Sequence, residues 1–332
     1  MSVPLYKTVY DSISYGFAVG KVRVLETRVF GGGTYERLVD APSFAEQKRI
    51  LSDTVYGRYI ENAETADDVE TGLESALDDF YKFLNEANLP APVVRFFRVR
   101  YDYANLKAVL KARALGAPLD GMLVDLGTVP AEVVSGPVEH LPEFLAKVVA
   151  GLAGDDEQVV SVEQIDTAVE HASFTDLAET ARVSKSRALK ELARLMIDVV
   201  NARAAIRARR RELPASDLAG AFFKGGSLHL SRIEKAYILP FAEFADAIAS
   251  MPALGGVEPE LLTDLASLDV VLDNLIARFL RRARAVQFGP EPVIAYVMAR
   301  EAEVTAVRTL LIGRLAGLDR DALRSRLREL YV

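Results

Sequence analysis

Histidine and cysteine, the residues that most metal centres and many nucleophilic sites use, are scarce in this sequence. Its 332 residues include three histidines and no cysteine, which excludes disulfides, thiolate metal sites and cysteine nucleophiles. Two histidines directly follow a glutamate, in Glu139-His140 and Glu170-His171. Metal ligands that share one helical face are spaced three or four residues apart instead. We therefore predict no metal site and no catalytic histidine.

Two glycine-rich segments suggest phosphate binding as the next candidate chemistry. Gly31-Gly32-Gly33 lacks the later glycine and the downstream acid of a dinucleotide fingerprint, and Lys224-Gly225-Gly226-Ser227 lacks the complete P-loop pattern. We interpret the first segment as a helix C-terminus with its turn, and the second as a turn after Phe222-Phe223. An enzyme that binds a phosphorylated substrate through Lys224 is an alternative. The sequence predicts no catalytic residue and no cofactor.

Basic and aromatic residues alternate between Arg95 and Tyr103. Such a segment can stack on single-stranded nucleic acid, because every base has an aromatic face. The same residues lead directly into an amphipathic helix, where aromatic side chains at this spacing usually belong to the core. We favour the core interpretation.

Charge is unevenly distributed along a chain whose net charge is −7. This balance argues against attraction of the whole chain to nucleic acid or anionic lipid. Residues 61–79 carry eight acids and no base, whereas residues 182–211 carry ten bases and two acids. We interpret both as solvent-exposed helix faces, and docking surfaces for charged partners are the alternative. The longest uncharged stretch, Ala247–Val257, is too short to span a membrane. The N-terminus lacks the features of a signal peptide, so a cytoplasmic protein is expected.

The elements that must position these residues are predicted to be helices. Apolar residues recur at three- and four-residue intervals in many segments, including 22–29, 73–84, 189–199 and 265–279. Ser43 and Glu46 have the form of a capping box, Asp319 is placed to cap the last helix, and Gly317 to end the one before it. No sustained alternation of apolar and polar residues predicts a strand. The expected fold class is all-α.

An internal repeat is the most informative feature. Residues Asp102–Arg113 align without a gap with Asp198–Arg209, and both fit D-x-x-N-x-[K/R]-A-x-x-[K/R]-A-R. A looser third copy runs from Glu303 to Arg314, and a faint fourth trace surrounds Arg23. The equivalent basic positions are 84, 96 and 105 residues apart. This periodicity predicts a threefold-repeated helical architecture.

The charged positions of the repeat are the candidate interaction residues. In the first two copies a pair of bases four residues apart lies opposite the apolar stripe, Lys107 with Lys111 and Arg203 with Arg207. The closing arginine of each copy points toward the stripe, where it must reach water or a partner. The acid that opens each copy and the arginine that closes it also complement the helix dipole. The interaction candidates are Lys107, Arg203, Arg308, Arg113, Arg209 and Arg314.

These repeats resemble the signature of the C subunit of V-type and A-type ATP synthases, the counterpart of the d subunit of eukaryotic V-ATPases. The resemblance begins at Tyr101–Arg113 and continues over nearly the full chain. The further matching segments are 51–57, 198–201, 222–226, 295–308 and 327–332. The third and fourth copies depart from the pattern because Ala306 and Lys21 replace the asparagine.

The resemblance implies three similar helical domains arranged as a funnel or socket. With the repeat, it suggests domains at 1–100, 101–197 and 198–332, the last with C-terminal closing helices. It also implies a non-catalytic central-stalk rotor subunit on the cytoplasmic face of the membrane. The implied partners are D-type and F-type shaft subunits and the membrane proteolipid ring, through which membrane contact would be indirect, with no nucleic acid bound. The alternative is a nucleic-acid-binding or regulatory scaffold that uses the basic 182–211 face.

Overall fold

The computed structural model describes residues 15–119, 121–152 and 160–329, and these three ranges are helical without any strand. The predicted all-α class is therefore confirmed. The α-helices are α1 (Gly16–Leu25), α2 (Gly32–Asp40), α3 (Phe44–Ser52), α4 (Gly57–Ile60), α5 (Ala66–Glu86), α6 (Ala91–Leu115), α7 (Ala131–Ser135), α8 (Glu143–Leu152), α9 (Val162–Val183), α10 (Arg187–Arg210), α11 (Leu218–Ala221), α12 (Leu230–Ala236), α13 (Phe241–Ala249), α14 (Pro259–Thr263), α15 (Leu265–Arg284), α16 (Glu291–Leu315) and α17 (Arg320–Arg324). Short 3₁₀ helices occur at Glu26–Arg28, Val138–His140, Ala215–Asp217 and Pro252–Leu254.

The chain forms two compact units. Unit 1 combines Met1–Leu89 with Asp269–Val332, and unit 2 comprises Pro90–Leu268. The two terminal segments of the sequence thus belong to one unit. The predicted domain boundaries after residues 100 and 197 fall inside α6 and α10. The division into three domains stays a prediction.

Unit 2 is built around the long helices α6, α9 and α10. Apolar residues of α6, among them Leu106 and Val109, are buried in one core with Ile165 and Val169 of α9. Tyr103 contacts Asp176 while Lys111, farther along α6, contacts Asp166. The two helices are therefore antiparallel. Only three residues separate α9 from α10, so both α6 and α10 run opposite to α9.

Unit 1 is built around α16, which is largely buried along its length. Val307, Leu310 and Leu311 are fully buried there, together with Leu73 of α5. The Tyr81 hydroxyl donates to Glu301, and Arg308 pairs with Glu70. Helix α16 is therefore antiparallel to α5.

Helix ends agree with most of the predicted signals. The Ser43 hydroxyl accepts the Glu46 N–H at 3.2 Å, but the Glu46 carboxylate pairs with Arg49, so the capping box is only half formed. Asp319 accepts the Ala322 N–H at 2.8 Å and caps α17. Gly317 follows the end of α16, as predicted, and has a left-handed φ of 77°.

The interpretation of Gly31-Gly32-Gly33 as a helix end is wrong. The preceding 3₁₀ helix ends at Arg28, and α2 begins at Gly32 with Gly31 as its N-cap in an extended conformation. Glycine is tolerated at an N-cap as well as after a C-terminus, so its presence alone does not decide between them.

Candidate functional site

Two buried polar side chains in the middle of α6 bind the loop that follows the helix. Asp102 accepts hydrogen bonds from the Val129 N–H at 2.9 Å and from the Thr128 hydroxyl at 2.5 Å. The Asn105 side chain donates to the Val124 carbonyl at 2.7 Å and accepts the Val124 N–H at 3.0 Å. We call this arrangement, Asp102 and Asn105 with residues 124–129, the first clasp.

Helix α10 repeats the arrangement with an aspartate and an asparagine at the same spacing. Asp198 accepts the N–H groups of Ser227 and Leu228 at 2.7 and 2.8 Å and the Ser227 hydroxyl at 2.6 Å. The Asn201 side chain exchanges two hydrogen bonds of 2.8 Å with the backbone of Phe223. Asp198 and Asn201 with residues 223–228 form the second clasp.

The two loops share a pattern that the sequence analysis missed. Each contains an apolar residue, two further residues, a glycine, a hydroxyl residue and an apolar residue, at 124–129 and 223–228. A Cβ atom at Gly127 would lie 2.1 Å from the Asp102 carboxylate, and one at Gly226 would lie 2.3 Å from that of Asp198. The close approach of backbone to carboxylate therefore requires glycine. Searching for this pattern after each D-x-x-N helix would have identified both clasps.

The acids of the repeat do not serve the helix dipole, so that interpretation was wrong. Helices α6 and α10 begin at Ala91 and Arg187, eleven residues before Asp102 and Asp198, and the dipole effect is confined to the first turn. Burial raises the pKa of Asp102, and hydrogen bonds from Thr128 and Val129 oppose that shift. The carboxylate instead compensates buried backbone N–H groups that would otherwise be left unpaired.

Glu303 of α16 performs the same task in the third copy. Its carboxylate accepts the Phe30 N–H at 2.5 Å and the Tyr56 hydroxyl at 2.7 Å, and it also pairs with Arg300. Ala306 occupies the asparagine position, so the third copy has no amide that corresponds to Asn105 or Asn201. Burial raises the pKa of Glu303, while the Arg300 charge and the hydrogen bonds oppose the shift. We call Glu303 with Phe30 and Tyr56 the third clasp.

The closing arginines of the repeat all bind backbone carbonyl groups at or just beyond the end of a short helix. Arg113 donates to the Ser135 and Gly136 carbonyls, both at 2.9 Å, at the end of α7. Arg209 donates to Leu239 at 2.8 Å, just beyond α12, and Arg314 donates to Val39 at 2.8 Å near the end of α2. A cation at a helix C-terminus satisfies carbonyls that lack an intrahelical partner.

The three long helices end alike. The residue three positions after each closing arginine has a left-handed φ, 62° at Gly116, 56° at Glu212 and 77° at Gly317. The next N–H then bonds back to the carbonyl five residues earlier, at 2.9, 3.1 and 2.9 Å, for residues 117, 213 and 318. This is the Schellman motif. Three copies of one helix, from clasp to C-cap, are thus present in the two units.

All three copies of the repeated helix lie within the part of the chain that matches a known family. Residues 18–326 match the family described as ATP synthase (C/AC39) subunit. The chain belongs to this family. The resemblance found from the sequence is thereby confirmed.

Full-length relatives include several C subunits. The chain is 24% identical to the C subunit of the V-type sodium ATPase of Enterococcus hirae, covering 93% of this chain and 97% of that protein. It is 26% identical to the C subunit of the V-type ATP synthase of Thermus thermophilus, covering 92% and 96%. It is 23% identical to the C subunit of the A-type ATP synthase of Thermococcus onnurineus, covering 92% and 88%.

In this C/AC39 chain, two of the remaining candidate bases pair with acids on a neighbouring long helix. Lys107 lies 2.8 Å from Glu170 and 3.3 Å from Asp166 of α9. Arg308 lies 2.7 Å from Glu70 of α5. Arg203 is half-buried on α10. Each pair joins two helices of one unit, and a role for these bases in binding partners stays a prediction.

The other candidate residues have local structural contacts. Between Arg95 and Tyr103, Phe96 and Phe97 are buried, in agreement with the core interpretation. The His171 ring lies 2.7 Å from the Gly220 carbonyl and packs against Phe223. Within the described residues, no three metal-ligating side chains cluster. No helix of those same ranges has the length and apolarity to cross a bilayer.

Proposed function

We propose that this chain is a non-catalytic rotor subunit in the central stalk of a V/A-type ATP synthase. It would connect the shaft of the soluble ATPase head, through D- and F-type subunits, to the membrane proteolipid ring. It would lie on the cytoplasmic face of the membrane and transmit torque for ion-coupled ATP synthesis or hydrolysis. The observation that carries the proposal is the family match over residues 18–326, with C subunits of such enzymes as full-length relatives.

The clasps support a mechanical role. A torque-transmitting connector must resist shear between its helices, and buried hydrogen bonds to ionised groups are stronger than those between neutral groups. Asp102, Asp198 and Glu303 are each at most 2% exposed and each holds a distant backbone segment. The recurrence of a buried acid that binds a distant segment in all three copies also supports our proposal of three similar helical domains, with the funnel or socket shape that the resemblance implies.

Co-purification from native membranes tests the proposal directly. With an affinity tag on this chain, we expect D- and F-type shaft subunits and the proteolipid ring to co-purify from membranes solubilised in a mild detergent. Untagged membranes provide the background control. A chain that is recovered without either partner would contradict the proposal.

An experiment in which the chain is removed from the membranes distinguishes a connecting subunit from a catalytic one. In membranes without it, we expect ATP-driven ion transport to be lost while the soluble heads continue to hydrolyse ATP. Re-addition of the purified chain should restore transport. Loss of hydrolysis by the isolated heads on removal would instead point to a catalytic role.

The nucleic-acid alternative has less support from the basic segment itself. Within residues 182–211, Arg182 pairs with Glu179 at 2.5 Å and Arg187 with Glu191 at 2.7 Å. Arg209 is directed to a carbonyl group, as described above. Nucleic-acid binding through this face would show a steep loss of affinity with added salt, because bound phosphates release counterions. We expect titration with DNA or RNA to show no such salt-dependent binding.

A further inference from the structure

The third clasp differs from the other two in how its parts are connected. In the first two clasps the bonded residues are 19–30 positions apart in the sequence. In the third, Glu303 binds Phe30 and Tyr56 across 273 and 247 positions. The segment 29–60, which contains α2, α3 and α4, is here called the strap. It is attached to α16 by side-chain contacts rather than by a short connecting loop.

The strap has four attachments along one stretch of α16. Besides the two bonds to Glu303, the Gln47 side chain donates to the Leu310 carbonyl at 3.3 Å, and Arg314 donates to the Val39 carbonyl at 2.8 Å. Gln47 and Tyr56 are completely buried. The attachments extend over residues 303–314, about 16 Å of helix at 1.5 Å per residue. The strap therefore contacts α16 as one continuous element.

Glu303 is the residue of α16 that receives two hydrogen bonds from the strap. Two of its hydrogen-bond donors, the Phe30 N–H and the Tyr56 hydroxyl, belong to the strap, and Arg300 belongs to α16. When the strap is in place, the carboxylate is 1% exposed. Without the strap, two of these three donors are absent. Closure of the strap is thus linked to burial of this one carboxylate.

We infer that the strap opens and closes on α16 as a unit, and that Glu303 is the positioning residue that holds it closed. The opening is local, because the first and second clasps belong to unit 2 and use other residues. The inference rests on the proposed function in one respect only. If unit 1 carries torque, a strap that opens more often should uncouple ATP hydrolysis from ion transport.

Hydrogen exchange of the purified full-length chain tests the inference independently of the function. In Glu303→Gln, we expect exchange at Phe30 and across α2 and α3 to be faster by about tenfold or more, because a charged hydrogen-bond acceptor is lost. Residues 124–129 and 223–228 should exchange at the wild-type rate. Tyr56→Phe, which removes one hydroxyl group, should give the same pattern with a smaller change.

A matched variant in unit 2 provides the reciprocal control. Asp198→Asn should accelerate exchange at Ser227 and Leu228 and leave the strap unchanged. Equal acceleration over the whole chain in Glu303→Gln would show that Glu303 contributes only to global stability. No acceleration in the strap would show that the carboxylate does not hold it. Either result would overturn the inference.

Transplanting the side chains of the other clasps tests whether Glu303 replaces both of them. Glu303→Asp shortens the carboxylate, and Ala306→Asn supplies the missing amide. We expect the double variant to exchange more slowly in the strap than Glu303→Asp alone. If the strap exchanges as fast in the double variant as in Glu303→Asp, the third clasp is not equivalent to the other two.

The ratio of ions transported to ATP hydrolysed, measured with the reconstituted enzyme, addresses the link to function. We expect Glu303→Gln to lower this ratio while the chain remains assembled in the complex. Faster strap exchange with an unchanged ratio would leave the strap inference standing and contradict its role in torque transmission. An unchanged exchange pattern would reject the strap inference whatever the ratio.

Discussion

At the scale of single residues, the clasps depend on the absence of a side chain as much as on the presence of one. Asp198 can accept two successive N–H groups only because Gly226 lets the backbone approach its carboxylate. The same relation holds between Asp102 and Gly127. A buried aspartate in the middle of a helix can thus be hydrogen-bonded because a loop glycine, distant in sequence, lets the backbone reach it.

Gly226→Ala should destabilise the protein. The added Cβ would lie 2.3 Å from the Asp198 carboxylate, so either the loop or the helix must move. We expect the free energy of unfolding to fall by about 2 kcal/mol, as for other overpacked sites. Denaturant unfolding measures the change. Gly220→Ala is the control, since a Cβ there has open space, and an equal loss in both variants would contradict the explanation.

Glu212→Gly should stabilise the protein. Glu212 has a φ of 56° at the position where the two equivalent helix ends carry Gly116 and Gly317. A left-handed conformation costs a residue with a Cβ about 1–2 kcal/mol, and the extra backbone freedom of glycine in the unfolded chain offsets part of this gain. We expect a net gain of about 0.5 kcal/mol in thermal or denaturant unfolding. Glu234→Gly, within α12, should instead lose stability, and a loss in Glu212→Gly would be contrary to our expectation.

At the scale of elements, amphipathic helices were predictable and their partners were not. The apolar spacing predicted α5, α10 and α15, because burial of one helical face leaves a periodic trace in the sequence. The loops bound by Asp102 and Asp198 share only a short sequence pattern, at 124–129 and 223–228, which is a weaker signal. No sequence pattern near Glu303 indicates the strap, since the residues that bind Glu303 lie 247 and 273 positions upstream of it. Long-range pairing is set by tertiary packing, which local spacing does not record.

The ion pairs between α6 and α9 predict a dependence of stability on pH. Burial opposes ionisation of Asp166, but hydrogen bonds from Lys111 and Lys107 outweigh it and hold the pKa of this carboxyl below its usual value. A pKa lowered on folding contributes stability above the unfolded pKa, and this contribution is lost as the pH falls through the folded pKa.

Asp166→Asn should therefore reduce the loss of stability between about pH 5 and pH 3. Since the side chain is 36% exposed, solvent screening limits the effect to about 0.5 kcal/mol. Unfolding free energies measured at several pH values provide the test. Lys107→Gln, which removes one partner, should reduce the dependence to a smaller extent. An unchanged pH profile in Asp166→Asn would show that the pair contributes nothing to this dependence.

At the scale of the whole molecule, the repeat is assembled in two ways. Unit 2 holds two copies in which helix and loop are consecutive, whereas the third copy in unit 1 combines the N-terminal strap with the C-terminal helix α16. Repeats of this kind usually interact through their nearest neighbours, so stability is a sum of unit and interface contributions. The clasps allow these contributions to be measured separately.

A double-mutant cycle on Asp102 and Asp198 measures whether the first two clasps act independently. Each single change to alanine leaves buried donors unpaired and should cost about 3 kcal/mol. The partners of Asp102 are Thr128 and Val129, and those of Asp198 are Ser227 and Leu228. Because the two sets are distinct, the losses should add to within about 0.5 kcal/mol. Helix α9 packs against both α6 and α10, so a coupling energy above about 1 kcal/mol would show that it transmits strain from one clasp to the other. Independent clasps would mean that each repeat keeps its own geometry when its neighbour is disturbed.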